Sequence, residues 1–159
     1  MSASVEIERR GADVLDELEP LWLTLKNHHG ACTPDQAIHD DATSWAQRRE
    51  EYAHWVAEEG SFFLVARAAG RPVGYALVIL HAGSPTWIEP RRFAVVQDLA
   101  VAADQQGNGV GRALLDHVHD ESGCDVVELA VLSANESALR FYERLGFERR
   151  VETLRRIRQ

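Results

Sequence analysis

Residues Val95–Arg112, VVQDLAVAADQQGNGVGR, decide how the rest of the chain is read. Val95, Val96, Leu99 and Val101 give the β-branched and apolar content of a buried strand. Ala102 to Gln106 break that pattern, and Gly107, Asn108, Gly109 and Gly111 follow. Val110, Leu114, Leu115 and Val118 then recur at helical spacing. The stretch predicts a strand over 92–101, a glycine-rich loop, and a helix over 109–122. A strand feeding such a helix start suits a phosphate, because the N–H groups of the first turn lack intrahelical partners and the helix dipole favours an anion.

The flanks extend the pattern on both sides. Upstream, Val5 and Ile7 alternate with glutamates as a short strand, and an apolar stripe from Val14 to Leu25 predicts a helix. Pro20 should kink that helix or open a second piece. Asn27 to Pro34 reads as a loop, and Ile38 to Glu58 as a second helix stopped by Gly60. Phe62–Ala66 and Val73–Leu80 read as a hairpin around Gly70. Downstream, Gly123 caps the helix and Val126–Leu132 is a further strand. Ser133 to Glu136 has the spacing of a capping box for a helix ending at Gly146, and Phe147–Ile157 is an arginine-rich last strand. This order predicts one α/β domain over residues 1–159 with a mixed sheet.

Of the 159 residues, 45% are hydrophobic and 26% charged, ordinary for a globular protein. No apolar run approaches the roughly 20 residues of a membrane span, and MSASVEIERR lacks the features of a signal peptide. The expectation is a cytoplasmic protein with no membrane partner, its two cysteines, Cys32 and Cys124, free thiols. The net charge of −8 is concentrated at one end: residues 1–60 carry 13 acidic against 5 basic side chains. That excess argues against nucleic-acid binding and favours a cationic partner or a solvated helix surface.

Three phosphate motifs compete for the glycine loop. A Walker loop requires Lys-Ser/Thr after its glycines, where this chain has Arg112-Ala113. A dinucleotide fingerprint requires a third glycine in register, where Arg112 or Leu114 stands. The pattern Gln/Arg-x-x-Gly-x-Gly/Ala is met by Gln106-Gly107-Asn108-Gly109-Val110-Gly111. With Asn135, Ala138, Tyr142 and Leu145-Gly146-Phe147 in matching order, residues 62–147 resemble the GNAT superfamily of acetyl-coenzyme A-dependent N-acetyltransferases.

That resemblance implies a GNAT-like α/β fold: a mixed, mostly antiparallel sheet of about six to seven strands flanked by about four helices. It implies an acyltransferase that moves an acetyl group from acetyl-coenzyme A to a primary amine of a small molecule or peptide. By the same resemblance Gln106, Gly107, Asn108, Gly109, Val110, Gly111 and Arg112 bind the coenzyme pyrophosphate. The backbones of Leu99 and Val101 hold the thioester and pantetheine arm, and Asn135 binds the pantetheine or a water. Tyr142 would be the general acid for the departing thiolate; from periodicity alone it reads as a core tyrosine. A non-catalytic acyl-coenzyme A sensor is the alternative reading, and a homodimer is compatible with the family.

The base is the open point. Relatives carry an acidic pair on the central strand where this chain has Gln97-Asp98. Gln97 cannot titrate, which leaves Asp98, and strand alternation aims Asp98 away from the acceptor unless a bulge re-aims it. A buried structural carboxylate is the competing reading of Asp98. Glu128 and His81 are weaker candidates. His28, His29, His39 and Cys32 match no zinc spacing, so no metal is expected, and loop histidines are ordinarily just polar. Only 13 residues follow Gly146, room for one strand rather than two.

Overall fold

Five strands form one sheet in the sequential order β1 to β5. They are β1 (Glu6–Arg10), β2 (Phe62–Ala68), β3 (Arg71–Ala82), β4 (Arg92–Val101) and β5 (Val127–Leu129). The first four pair antiparallel and β4–β5 is parallel. Four α-helices accompany them: α1 (Glu19–Cys32), α2 (Asp41–Val56), α3 (Val110–Ser122) and α4 (Glu136–Arg144). This computed structural model describes residues 5–158.

Sheet alternation creates two cores. Phe63, Val65, Tyr75 and Leu77 meet Leu18, Trp22 and Tyr52 on the α1–α2 face. Phe62, Leu64, Ala76 and Val78 meet Val110, Leu114 and Val118 on the α3 face. β3 is buried without a break from Val73 to Ile79, as a central strand covered on both faces must be. The amphipathic pattern of Val110, Leu114 and Val118 thus delivers the glycine loop to the end of β4.

Several expectations are corrected. Pro20 does open a second piece: a 3-10 helix, Ala12–Glu17, precedes α1, and Pro20 sits in the first turn of α1 where its missing N–H is harmless. The predicted loop Asn27–Pro34 is mostly helix, since α1 runs to Cys32. Gly30 marks close packing there rather than a break, for a Cβ on it would lie 2.8 Å from Ile38 Cδ1. The cap of α4 is Asn135, not Ser133. The sheet has five strands among the described residues, fewer than expected. β5 is only three residues long, and 147–158 form no strand. Val151, Leu154 and Ile157 stand three apart and are exposed, so a strand there would turn them to alternate faces and could not bury them together.

Candidate active site

The sheet opens where β4 and β5 part. Their pairing covers only Ala94–Val96 against Val127–Leu129. At the point of parting, Leu77 faces Asp98 while Val78 faces Val96, so Gln97 is an extra residue in β4, a bulge that bends the strand. Ala102 N–H donates to Val73 O at 2.8 Å. By alternation the peptide groups of Asp98 and Ala100 face β3, and those of Leu99 and Val101 face the gap. A cavity of about 780 Å³ fills this gap and reaches from the glycine loop to α1.

The loop end is built from backbone. Gly107 and Gly109 have φ of 80° and 83°, a conformation that costs other residues about 1–2 kcal/mol. A Cβ on either would meet nothing within 4 Å, so glycine is needed here for its φ and not for space inside the protein. Gln106 Nε2 donates to Val101 O at 3.2 Å and ties the loop to the strand end. The first bond of α3 runs from Ala113 N–H to Gly109 O, so the N–H groups of Val110, Gly111 and Arg112 precede it, and no side chain caps the helix. Free N–H donors beside open space at a helix start fit the phosphates of a nucleotide coenzyme. Gly111 has a packing role as well: its Cβ would lie 3.2 Å from Phe141 Cζ, so the missing side chain lets α3 approach α4.

Of the residues predicted to act, all but Asn108 line the cavity. Tyr142 reaches it from α4, its ring held against Phe141 and Phe147 at centroid distances of 5.1 and 5.5 Å. Burial pushes the Tyr142 phenol up to about 12, and the charge of Asp98 adds to the effect. The group is therefore protonated at neutral pH. Asn135 is buried, and its Oδ1 accepts from Ala138 N–H at 3.3 Å and Ser137 Oγ at 3.1 Å as the cap of α4.

Asp98 sits in a polar network that crosses three elements. Tyr52 of α2 donates its hydroxyl to Asp98 Oδ2 at 2.7 Å and is itself 2.7 Å from the Tyr75 hydroxyl of β3. Arg48 lies 3.6 Å from the same carboxylate and stacks 4.3 Å over the Trp22 ring. Burial raises the pKa of Asp98, while Arg48 and the Tyr52 bond pull it down. Tyr52 and Tyr75 are both fully buried, and burial raises their pKa values, so they act as donors. Glu128 and His81 do not line the cavity.

The structure also brings in His28 and His29, which the loop reading of Asn27–Pro34 set aside. Extension of α1 to Cys32 places Thr24, Leu25, His28 and His29 on the cavity wall. The signal was present in the i, i+4, i+5 spacing of those residues, obscured by Gly30. His28 Nε2 is 3.1 Å from Asn135 Oδ1; that oxygen only accepts, so the proton is on Nε2. The His29 imidazole is half-buried, and burial, His28 and Arg48 all lower its pKa, which keeps it neutral at pH 7. Among the described residues no three His, Cys, Asp or Glu side chains gather as a metal site. Nor is any helix long and apolar enough to cross a membrane.

The chain is similar to known proteins in sequence and in fold. The profile of the acetyltransferase (GNAT) family matches residues 22–147. A mycothiol acetyltransferase of Salinispora tropica is 32% identical over 145 residues, covering 89% of this chain and 43% of that protein. The chain spans less than half the length of the curated relatives it matches. A mutant BH1408 protein from Bacillus halodurans superposes with a TM-score of 0.81 at 21% identity, over 97% of this chain and 99% of that one. An aminoglycoside N-acetyltransferase in complex with CoA superposes with a TM-score of 0.71 at 16% identity, over 98% and 97%. At these identities the two superpositions speak for the fold alone.

Proposed function

The chain belongs to the acetyltransferase (GNAT) family, and from that premise we propose that it transfers an acetyl group from acetyl-coenzyme A to a primary amine of a small molecule. The observation that carries this reading is one continuous cavity that joins the uncapped start of α3, the parting of β4 and β5, and Tyr142.

Acetyl-coenzyme A, when bound, supplies the activated acyl carbon. The N–H groups of Val110, Gly111 and Arg112 hold the phosphates, and the left-handed glycines keep side chains out of their way. Gap-facing peptide groups of Leu99 and Val101 pair with the extended arm as an added strand would and orient the carbonyl. The amide nitrogen of Asn135 donates to the arm or to a water, its oxygen being committed to the helix cap. The amine nitrogen attacks the acyl carbon: the C–N bond forms, the C–S bond breaks, and the amine loses a proton. Tyr142 hands its hydroxyl proton to the leaving sulfur, a role open to a phenol that stays protonated at neutral pH. Asp98 borders the site as a carboxylate already engaged by Tyr52 and Arg48, and it orders water at the amine end.

An amine panel incubated with acetyl-coenzyme A and a thiol reporter tests the proposal. Amine-dependent release of free coenzyme A, lowered about 10²–10⁴-fold in Tyr142→Phe, is the expected result. Tight coenzyme binding without release across the panel would overturn it in favour of a sensor.

A further inference from the structure

The amine end of the cavity is poor in bases, and that poverty is selective. Among the described residues, Asp98 is the only acidic side chain on the cavity wall, and Arg112 and Arg144 also border it. None of the acidic side chains of the first 60 residues lines the cavity, and several are paired elsewhere: Glu8 and Glu17 with Arg67, Asp16 with Arg49, and Asp41 with Lys26. Asp98 itself accepts the Tyr52 hydroxyl and faces Arg48, with its side chain 11% exposed. Among the described residues, no carboxylate on the cavity wall is therefore free to hold a second ammonium group. Of the two imidazoles, His28 is committed to Asn135 through Nε2. The His29 ring makes no hydrogen bond to any described residue, lines the cavity and is only half-buried.

We propose that His29, near the end of α1, takes the proton released by the acceptor amine, and that the site serves weakly basic amines of the α-amino kind, as in amino-acid amides, rather than alkyl diamines or polyamines. The inference rests on the acetyltransferase reading and names its base and its substrate class. An alkyl ammonium with a pKa near 10.4 is deprotonated at pH 7 at a cost of about 3.4 pK units, and a neutral imidazole cannot drive that step. An α-amino group near 7.7–8.0 is already about a tenth neutral or more at pH 7. As the C–N bond forms, the nitrogen becomes acidic and its proton passes to His29, while Tyr142 protonates the sulfur; the products are an amide and free coenzyme A. Around His29 the charged and titratable groups are His28 on its own helix, Arg48 on α2 and, paired to Arg48, Glu51 on α2 at 3.2 Å and Asp98 on β4 at 3.6 Å. The two that act on it directly disfavour the imidazolium, and so does burial, which holds the ring in the proton-accepting form.

The test compares amino-acid amides with alkyl mono- and diamines, using the intact chain and coenzyme A release at pH 7. The expected result is kcat/KM at least tenfold higher for the best amide than for the best alkyl diamine. At saturating amide, kcat falls through a single proton with a midpoint below 6.5. His29→Gln lowers kcat at pH 7 at least tenfold and removes that limb, with acetyl-coenzyme A affinity within twofold of the parent. An equal or greater rate with diamines, or an acid limb that survives in His29→Gln, overturns the inference and leaves the acetyltransferase reading standing. Release with no amine of any class overturns both. The substrate ratio and the parent's pH profile need no variant, so they decide the matter even if His29→Gln folds poorly.

Discussion

The two ends of the cavity are built from different materials. The loop end is backbone: positive-φ glycines, uncapped N–H groups and the gap-facing peptides of β4, all within residues 99–112. The other end is side chain: His28 and His29 from α1, Asp98 from β4 and Tyr142 from α4 line it, with Arg48 and Tyr52 of α2 and Tyr75 of β3 in the network behind Asp98. A backbone site is specified locally, because a few glycines dictate φ and a helix start supplies its own donors. A side-chain site exists only once distant elements are packed together.

Substitutions at the two ends should therefore fail differently. The largest effect is expected at Tyr142→Phe, which removes the acid without disturbing the ring packing. It should lower kcat by about 10²–10⁴-fold and leave coenzyme affinity nearly unchanged; a kcat within threefold of the parent would remove Tyr142 from the reaction. Next is Tyr52→Phe, which strips a buried carboxylate of its phenolic donor. A loss of about 1.5–3 kcal/mol in urea unfolding is expected, and an unchanged midpoint would mean that Asp98 finds another partner.

At the loop end, Gly109→Ala places a Cβ on a residue at φ 83°. The strain of about 1–2 kcal/mol should weaken acetyl-coenzyme A binding about 5–30-fold while kcat stays within twofold. Were kcat to collapse instead, the two ends would not be separable as drawn here. The smallest effect concerns pH. The folded pKa of His29 lies below its unfolded value near 6.5. The unfolded chain thus binds the proton more readily, and the stability tied to this group is present above 6.5 and lost as pH falls through it toward the folded pKa. Urea midpoints recorded from pH 7 to 5 should fall less steeply in His29→Gln than in the parent, and superimposable curves would argue that the ring is solvated.

The legibility of the site in the sequence follows the same division. Gln106 to Gly111 could be read residue by residue, because each constraint there is local. Tyr142 was legible through its neighbours in α4, although helical spacing alone reads it as core. Asp98 was legible as an acid, but its surroundings were not. Tyr52 and Tyr75 stand 46 and 23 residues from it in the chain and meet it only through the pairing of β3 with β4 and the packing of α2. His28 and His29 were hidden by Gly30, whose helix-breaking tendency is overridden by its contact with Ile38. The arginine-rich stretch Phe147–Ile157, read as a last strand, forms none among the described residues, and Val151, Leu154 and Ile157 share no face that could be buried.

By itself the sequence determined the order of elements, the alternation that divides the core between the two faces of the sheet, and the glycine geometry at the start of α3. These are consequences of local periodicity and of φ preference, which act within a few residues. The tertiary structure alone decided where β4 and β5 part, that the bulge at Gln97 accompanies a buried, engaged Asp98, and that α1 places the His29 imidazole on the cavity wall. Each depends on contacts between elements far apart in the chain, where desolvation and neighbouring charge, not residue type, fix what a side chain can do.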